Sequence, residues 1–196
     1  MRIIRSFIVL GLGATLSVAA YAADTGSVVQ RDVNQQQRIE QGLQSGALNT
    51  REASKLEREE SRVDRVESNA LKDGKLTNAE ERRIDNAQDK VSRDIYREKH
   101  DAQTGNPNSV SSQRMQADVQ RNINQQQRIE QGVQSGQLTN REAGKLEHGQ
   151  AKVARAEGRA GADGHVGAHE QRHIQHGENK QSRRVYKEKH DRQTRH

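Results

Sequence analysis

Apolar residues are sparse along this chain, and they recur at intervals of three, four and seven positions. A first short stripe pairs Ile39 with Leu43. Two longer stripes follow, and their members are Ala53, Leu56, Val63, Val66 and Ala70, then Ile84, Ala87, Val91 and Ile95. Residues at these spacings lie on one face of an α-helix, with polar residues on the opposite face. The pattern therefore predicts three amphipathic helices in this part of the chain and an all-α fold.

The two longer helices have recognisable start signals. Asn49 and Thr77 are N-cap residue types, and each is followed three positions later by a glutamate, Glu52 or Glu80. This spacing is that of a capping box, in which each side chain bonds the backbone amide of the other residue. A polar break at residues 72–74, which includes a glycine, separates the two helices.

The whole pattern then occurs a second time. The segment NQQQRIEQG at residues 34–42 returns letter for letter at 124–132, and EKHD at 98–101 returns at 188–191. Both matches have the same offset of 90 positions. A period of this kind predicts a tandem duplication of one three-helix unit.

The repeats define the expected domain organisation. Residues 24–104 form the first helical repeat and residues 118–196 the second, with a linker at residues 105–117. The linker contains Pro107, the only proline of the chain, among glycine, asparagine and serine. Such composition predicts two separate domains, or two lobes of one elongated molecule.

Residues 1–22 have the composition of a secretory signal peptide. Arg2 and Arg5 precede an apolar stretch, and Ala20 and Ala22 form a small-residue cleavage signal. We therefore expect a periplasmic or secreted protein with no stable membrane insertion after cleavage. The chain has no cysteine, so disulfides and thiolate metal ligands are excluded.

The remaining composition is that of a thinly packed, polar helical protein. Removal of the signal peptide takes away two basic residues and no acidic one, so the formal charge falls from +6 to +4. Basic and acidic residues alternate along the helices, and Tyr96 and Tyr186 are the aromatic residues that remain besides histidine. Both tyrosines follow an apolar residue of a helical stripe, and we expect them in the core. Mixed charge and few stacking side chains argue against a nucleic-acid partner.

The connections between the predicted helices share a pattern of glycine, an apolar residue two positions later and glutamate four positions after that. Its four occurrences are Gly46, Leu48 and Glu52; Gly74, Leu76 and Glu80; Gly136, Leu138 and Glu142; and Gly164, Val166 and Glu170. The pattern resembles positions 6, 8 and 12 of an EF-hand loop. The resemblance implies paired helix-loop-helix units in which Leu48 and Leu76 form a short two-stranded contact. A glycine followed by a capping box produces the same pattern in any helical hairpin.

The resemblance does not extend to the calcium ligands. An EF-hand loop needs oxygen ligands at positions 1, 3 and 5, and Leu43 and Leu71 occupy position 3 of the first two loops. Arg159 occupies position 1 of the last loop. Calcium binding is therefore not expected, and weak binding through Asp73 and Glu80 is kept as a lesser alternative.

Histidines distinguish the second repeat from the first. His165, His169, His173 and His176 replace Lys75, Ala79, Arg83 and Asn86 of the first repeat. If the last helix begins near Gly167, the spacing places His169, His173 and His176 on one helix face, and His165 lies one turn before them.

This histidine pattern predicts a transition-metal site. Imidazoles at positions i and i+4 can converge on one Zn²⁺, Cu²⁺ or Ni²⁺ ion, and Glu170, Glu178 or Asp163 would add oxygen donors. The alternative is that the histidines are substitutions on a solvated helix face.

The apolar stripe of the second repeat is weaker than that of the first. Its changes are Val66 to Ala156, Leu71 to Gly161, Ala87 to Gly177 and Val91 to Gln181. Loss of buried methylene groups costs stability, so we expect this repeat to be less stable without metal and more helical with it.

Function classes follow from these features. No cysteine nucleophile, phosphate-binding glycine loop or aromatic pocket is present in the sequence, so an enzyme is not expected. The leading hypothesis is a periplasmic protein that buffers or senses Zn²⁺, Cu²⁺ or Ni²⁺ through the second repeat. The alternative is an envelope interaction or chaperone-like protein with incidental histidines, whose partners are other envelope proteins.

Overall fold

A computed structural model describes residues 24–191 of the chain. They form six α-helices, which are α1 (Thr25–Ser45), α2 (Thr50–Ala70), α3 (Asn78–Lys99), α4 (Val110–Gln134), α5 (Asn140–Ala160) and α6 (Ala168–Lys189). No strand occurs in this range, so the prediction of an all-α fold is confirmed. None of the six helices has the length and apolar character needed to cross a bilayer. The predicted signal peptide, residues 1–22, lies outside the described residues, as does His196.

The helix boundaries follow the capping signals. Asn49 accepts a hydrogen bond from the amide of Glu52 and Thr77 from that of Glu80, and both glutamates bond back, so both capping boxes form. Helix α1 ends at Gly46, whose φ of 76° closes the helix in the left-handed conformation that glycine adopts without strain. Helix α6 begins after Gly167, at the position expected from the sequence.

Four helices form the centre of the molecule. Helix α2 packs along α5 and α1 packs along α4, so each contact joins the first half of the chain to the second. Helix α3 covers α1 and α2 on one side, and α6 covers α4 and α5 on the other. The bounds of α5 and α6 equal those of α2 and α3 shifted by 90 residues.

The two larger apolar clusters draw on both repeats. The first joins Leu56 and Ile95 to Met115, Ile123 and Ile174. The second joins Val29 of α1 and Leu71, the C-cap residue of α2, to residues of α4, α5 and α6. The structure thus differs from the expectation of separate domains or lobes. Each repeat has too few apolar side chains to enclose a core alone, and packing α2 against α5 gives both repeats a common interior.

The connection between the repeats is shorter than the expected linker of residues 105–117. Ser109 accepts a hydrogen bond from the amide of Ser112 as an N-cap, and α4 begins at Val110. Met115 is fully buried in the common core. Residues 110–117 are therefore two turns of a packed helix, and only residues up to Ser109 connect the repeats as a loop.

Tyr96 and Tyr186 are not core residues, so this expectation is wrong. Each is 61% exposed, and its ring stacks on the imidazole four residues later, His100 or His190, with centroids 4.1 Å apart. Adjacent helical residues point about 100° apart. Because Ile95 and Val185 point into the core, the tyrosines that follow them point toward solvent.

The short contact expected between Leu48 and Leu76 does not form. The Leu48 amide donates to the Gly42 carbonyl at 2.9 Å. Leu48 belongs to the larger apolar cluster, while Leu76 packs against the two smaller ones. These two connections therefore end a helix and place a leucine against the apolar core, and they do not pair with each other.

Candidate functional site

A stripe of acidic residues faces the interior of the bundle instead of the solvent. On α2, Glu57, Glu60, Asp64 and Glu67 follow at spacings of 3, 4 and 3, which places them on one helix face. This face packs against α5. Apart from Glu142 of the α5 capping box, the acidic residues that are at most 3% exposed are Asp32, Glu57, Glu60, Asp64, Glu67, Asp118, Glu147, Glu157 and Glu178.

Three of these residues, Asp32 of α1, Glu67 of α2 and Glu147 of α5, form what we term the first acidic centre. One oxygen atom from each carboxylate lies within 4.8 Å of the others. Gln88 of α3 donates to Asp32 at 2.7 Å and to Glu67 at 3.1 Å. Gln126 of α4 donates to Glu147 at 2.9 Å.

The equivalent positions form a second acidic centre with one carboxylate fewer. Glu57 and Glu157 lie side by side, and Asn122 occupies the position that corresponds to Asp32. Asn122 donates to Glu157 at 2.7 Å, and Gln36 donates to Glu57 at 3.2 Å. The second centre thus contains an amide donor where the first has a third carboxylate.

A small polar cavity touches residues of all four central helices. Its volume is about 10 Å³, close to the space that one water molecule or ion needs. Among its lining residues, Asp32 Oδ2, Glu60 Oε1 and Gln126 Oε1 are buried oxygen atoms without a hydrogen-bond donor in the described structure. Buried polar atoms are nearly always paired, so each of these oxygens needs a donor, which a proton on a neighbouring carboxyl group would supply, or a cation.

Burial raises the pKa of the carboxyl groups in both centres. It raises the pKa of Asp32 to about 7, of Glu57 to about 7 and of Glu147 to about 8. The pKa of Glu67 lies well above its ordinary value, because burial and then the charge of Asp32 disfavour its ionised form.

The same effect extends to the rest of the acidic stripe. Burial, followed by the charge of Asp32, raises the pKa of Glu60, and burial, followed by that of Glu147, raises the pKa of Asp64. The one salt bridge in residues 24–191 that reaches this buried set joins Arg121 to Glu178 at 2.7 Å. Protons or a bound cation must therefore neutralise the interior.

Two further acidic groups, at equivalent positions of the two repeats, each combine buried or half-buried glutamates with one exposed aspartate. They are Glu52, Glu98 and Asp101, and Glu142, Glu188 and Asp191. In the first group Glu98 accepts from Lys55 at 2.7 Å, and Glu52 belongs to the capping box of α2. The repeated EKHD segment thus lies against the start of α2 and α5, where its acidic residues already have structural partners.

The histidines predicted to bind metal are all exposed, and the structure does not bring three of them together. His165 Nδ1 lies 2.9 Å from the Ser111 hydroxyl, while His169 and His173 lie one turn apart on α6. No histidine belongs to a group of three ligand atoms within 4.8 Å in residues 24–191. Of these side chains, His173 and His176 line one shallow groove between α5 and α6.

The oxygen donors assigned to the predicted sites have local structural roles. Glu170 accepts from the Gly167 amide at 2.8 Å in the cap of α6, and Asp163 accepts from the His165 amide at 2.8 Å. Asp73 accepts from the Lys75 amide, and Glu80 completes the capping box of α3. Glu178 is fully buried in the interior with Arg121, away from the exposed histidines.

Sequence reasoning missed the acidic interior. The sequence contains a signal for it, because the four acidic residues on α2 have helical spacing. In α5, Glu147 lies at the position equivalent to Glu57, and Glu157 at the position equivalent to Glu67. A charged stripe on a helix is normally a solvated face, and only the packing of α2 on α5 reverses that interpretation.

No family model, no curated protein and no solved structure matches this chain.

Proposed function

We propose that this protein is a secreted or periplasmic, non-enzymatic helical protein that binds an oxygen-preferring divalent cation, such as Mn²⁺, Mg²⁺ or Ca²⁺, at the first acidic centre. The observation that supports this most directly is the convergence of Asp32, Glu67 and Glu147 within 4.8 Å in a fully buried position. The cation would replace protons, so its binding would be linked to pH.

The chemistry of the donors supports a hard cation. Carboxylate and amide oxygens are the ligands of Mg²⁺, Ca²⁺ and Mn²⁺, whereas Zn²⁺ and Cu²⁺ favour imidazole or thiolate. Besides the three carboxylates, the oxygen atoms of Gln88 and Gln126 are buried without a donor. Neither residue carries a charge, so both could contribute an oxygen ligand without adding to the repulsion among the carboxylates.

The raised pKa values explain why the binding would depend on pH. Near pH 5, groups such as Asp32 and Glu147 are protonated and share hydrogen bonds without a net charge. As the pH rises through 7 to 8 they lose these protons, and a divalent cation can then compensate the negative charge. Cation binding should release protons, as it does at other metal sites.

The origin of the fold is part of the same proposal. The chain is proposed to descend from a duplicated three-helix unit with EF-hand-like connections. Shared segments at an offset of 90 residues support the duplication, and the positive φ angles of Gly46, Gly74, Gly136 and Gly164 support a common loop geometry.

Calorimetric titration at pH 7.5 with Mn²⁺, Mg²⁺ and Ca²⁺ tests the cation site. The matched variant is Asp32→Asn, because asparagine is the residue that the second repeat has at this position. We expect one tight site in the wild type and at least a tenfold weaker affinity in Asp32→Asn. The reciprocal variant, Asn122→Asp, should acquire a second site.

The titration also has a clear negative outcome. If the wild type binds none of the three cations more tightly than Asp32→Asn does, the proposal is wrong. Repeating the measurement in two buffers of different ionisation enthalpy counts the protons released, and no release would contradict the link to pH.

Transition-metal binding by the second repeat is the second candidate function. The observation that favours it is the exposure of His169 and His173 one turn apart on α6, where two imidazoles can reach one Zn²⁺, Cu²⁺ or Ni²⁺ ion. Replacement of the four predicted histidines by the residues of the first repeat separates the two functions. It should abolish Ni²⁺ or Zn²⁺ binding while Mn²⁺ binding at the buried centre persists.

A further inference from the structure

A basic groove lies on the outer surface between α5 and α6 and extends to the end of α2. One part has a volume of about 210 Å³ and is lined by Lys152, Lys180 and Arg184 together with His173 and His176. A second part, of about 690 Å³, shares Lys152 and Arg184 with the first. It adds the further basic residues Lys72, Arg141, Lys145, His148 and Lys187.

Small residues open this groove and leave an apolar floor. Gly177 and Ala156 replace Ala87 and Val66 of the first repeat. A side chain at Gly177 would meet only Val153, at 3.8 Å, so space is free above this position. Ile174 and Val153 form part of the floor of the first part, and Leu146 that of the second.

The first repeat neutralises the equivalent surface with ion pairs. Lys90 contacts Asp94 at 2.5 Å and Glu59 at 3.3 Å, and Arg97 contacts Asp94 at 2.7 Å. In the second repeat Arg184 replaces Asp94 and Gly149 replaces Glu59, while the lysine is retained as Lys180.

The acidic partners of this surface are thereby lost. No acidic residue lines the first part of the groove, and only Glu188 lines the second, at 3.9 Å from Lys145. Apart from the pair of Lys145 and Glu188, the positive charge of the groove is not compensated by acidic residues of its own walls.

We propose that this basic groove binds an extended, acidic segment of a partner protein, with carboxylates on the basic rim and apolar side chains on the floor. Between His173 and Lys187 helix α6 rises by roughly 20 Å, which matches about six residues of an extended peptide. Charge complementarity would supply both attraction and register.

The lining favours a peptide over other polyanions. No phenylalanine, tyrosine or tryptophan lines either part of the groove, so unpaired nucleic-acid bases have no platform for stacking. The apolar residues lie at the bottom of a concave surface, whereas a membrane-binding face presents its apolar residues outward.

Fluorescence anisotropy with a labelled acidic peptide tests the proposal on the full chain. The probe is a peptide of about eight residues, glutamate with interspersed leucine, at about 0.15 M salt, where charges outside the groove are largely screened. Arg184→Asp restores the residue of the first repeat and should weaken binding at least tenfold. Arg183→Asp is the matched control, because it changes the charge equally on the same helix but lies outside the groove lining, and it should change the affinity less than twofold.

Further measurements decide between the remaining outcomes. Gly177→Leu fills the groove without changing its charge and should also weaken binding, which keeps the test valid if Arg184→Asp does not fold. A glutamine version of the peptide should bind at least tenfold more weakly. Equal affinity of Arg184→Asp and Arg183→Asp for the peptide overturns the proposal. So does Arg184-dependent binding of anionic phosphatidylglycerol vesicles or a single-stranded oligonucleotide in the absence of peptide binding.

Discussion

The interiors of the two repeats differ more than their helices do. Helices α2 and α5 have the same length, yet the inward face of α2 carries Glu60 and Asp64 where α5 carries Gln150 and Ala154. Asp32 of α1 likewise corresponds to an asparagine in α4. A single backbone can therefore contain either carboxyl or neutral residues at its centre, and the three positions that differ in charge all line the small polar cavity.

Their outer surfaces differ in the same direction, because acidic residues of the first repeat are again replaced in the second. Asp94 in the first repeat holds Lys90 and Arg97 in ion pairs, whereas its counterpart in the second repeat is a further basic residue, Arg184. The first repeat is thus acidic inside and neutralised outside, and the second is less acidic inside and basic outside. Exchanging single residues between equivalent positions tests what each difference contributes to stability and to its pH dependence.

The largest expected effect concerns pH. The folded protein retains protons on carboxyl groups such as Asp32 and Glu147 that the unfolded chain releases near pH 4. This contribution to stability is therefore fully present below about pH 4 and is lost progressively as the pH rises from there through 7 to 8. Each unit of raised pKa corresponds to about 1.4 kcal/mol, so the free energy of unfolding should fall by at least about 4 kcal/mol between pH 5 and 9.

Urea denaturation with a chelator present measures this dependence. A variant that combines Asp32→Asn, Glu60→Gln and Asp64→Ala, the residues of the second repeat, should show a much flatter profile. A profile that is equally steep in this variant would mean that other groups cause the pH dependence.

The next largest effect on stability is expected at the equivalent positions 71 and 161, where the apolar packing of the two repeats differs. Leu71 is 1% exposed and packs on Gly144 of α5, while its counterpart Gly161 packs closely on Met115 and Ser54. Leu71→Ala should cost about 2–5 kcal/mol because it leaves a cavity. Gly161→Ala should cost about 1–3 kcal/mol for the opposite reason, since the new Cβ would lie 2.9 Å from the Ser54 Cβ.

Chemical denaturation at pH 5 compares these two variants. The sequence comparison suggested that glycine at 161 weakens the second repeat, and this interpretation is incomplete because Met115 fills the space. If Gly161→Ala proved stabilising, the weakened-core interpretation would stand as first stated.

A smaller effect is expected for Asp32→Asn alone. At pH 8 without divalent cation this change removes a buried carboxylate with one unpaired oxygen, and it should stabilise the protein by about 1–3 kcal/mol. At pH 5, where the carboxyl is protonated, the two proteins should unfold at similar urea concentrations. Destabilisation by Asp32→Asn at pH 8 in the presence of a chelator would show that the aspartate has a favourable partner.

The smallest effect concerns the groove. Gly177→Ala restores the residue of the first repeat within helix α6, where the added Cβ makes only an ordinary contact with Val153. Alanine favours the helix by about 1 kcal/mol over glycine, so the melting temperature should rise by a few degrees. If the melting temperature does not rise, Gly177 does not reduce the stability of the protein.

The sequence alone supported a large part of the fold. Capping boxes at Asn49 and Thr77 located two helix starts, and apolar spacing identified the buried faces of α2 and α3. These features are local, because a capping box and a helical stripe depend on residues within a few positions of each other. The sequence also contains the segments that recur at an offset of 90 residues, and the uneven distribution of histidines between the two halves of the chain.

Only the tertiary structure decided how the repeats combine and which charges are buried. The stripe from Glu57 to Glu67 has the same spacing whether it faces water or a helix, and its burial depends on α5, about 90 positions away. Asp32 and Glu147 are likewise distant in sequence and meet only because α1, α2 and α5 share one interior. Local patterns determine helices and their faces, whereas the environment of a carboxyl group depends on every element packed around it.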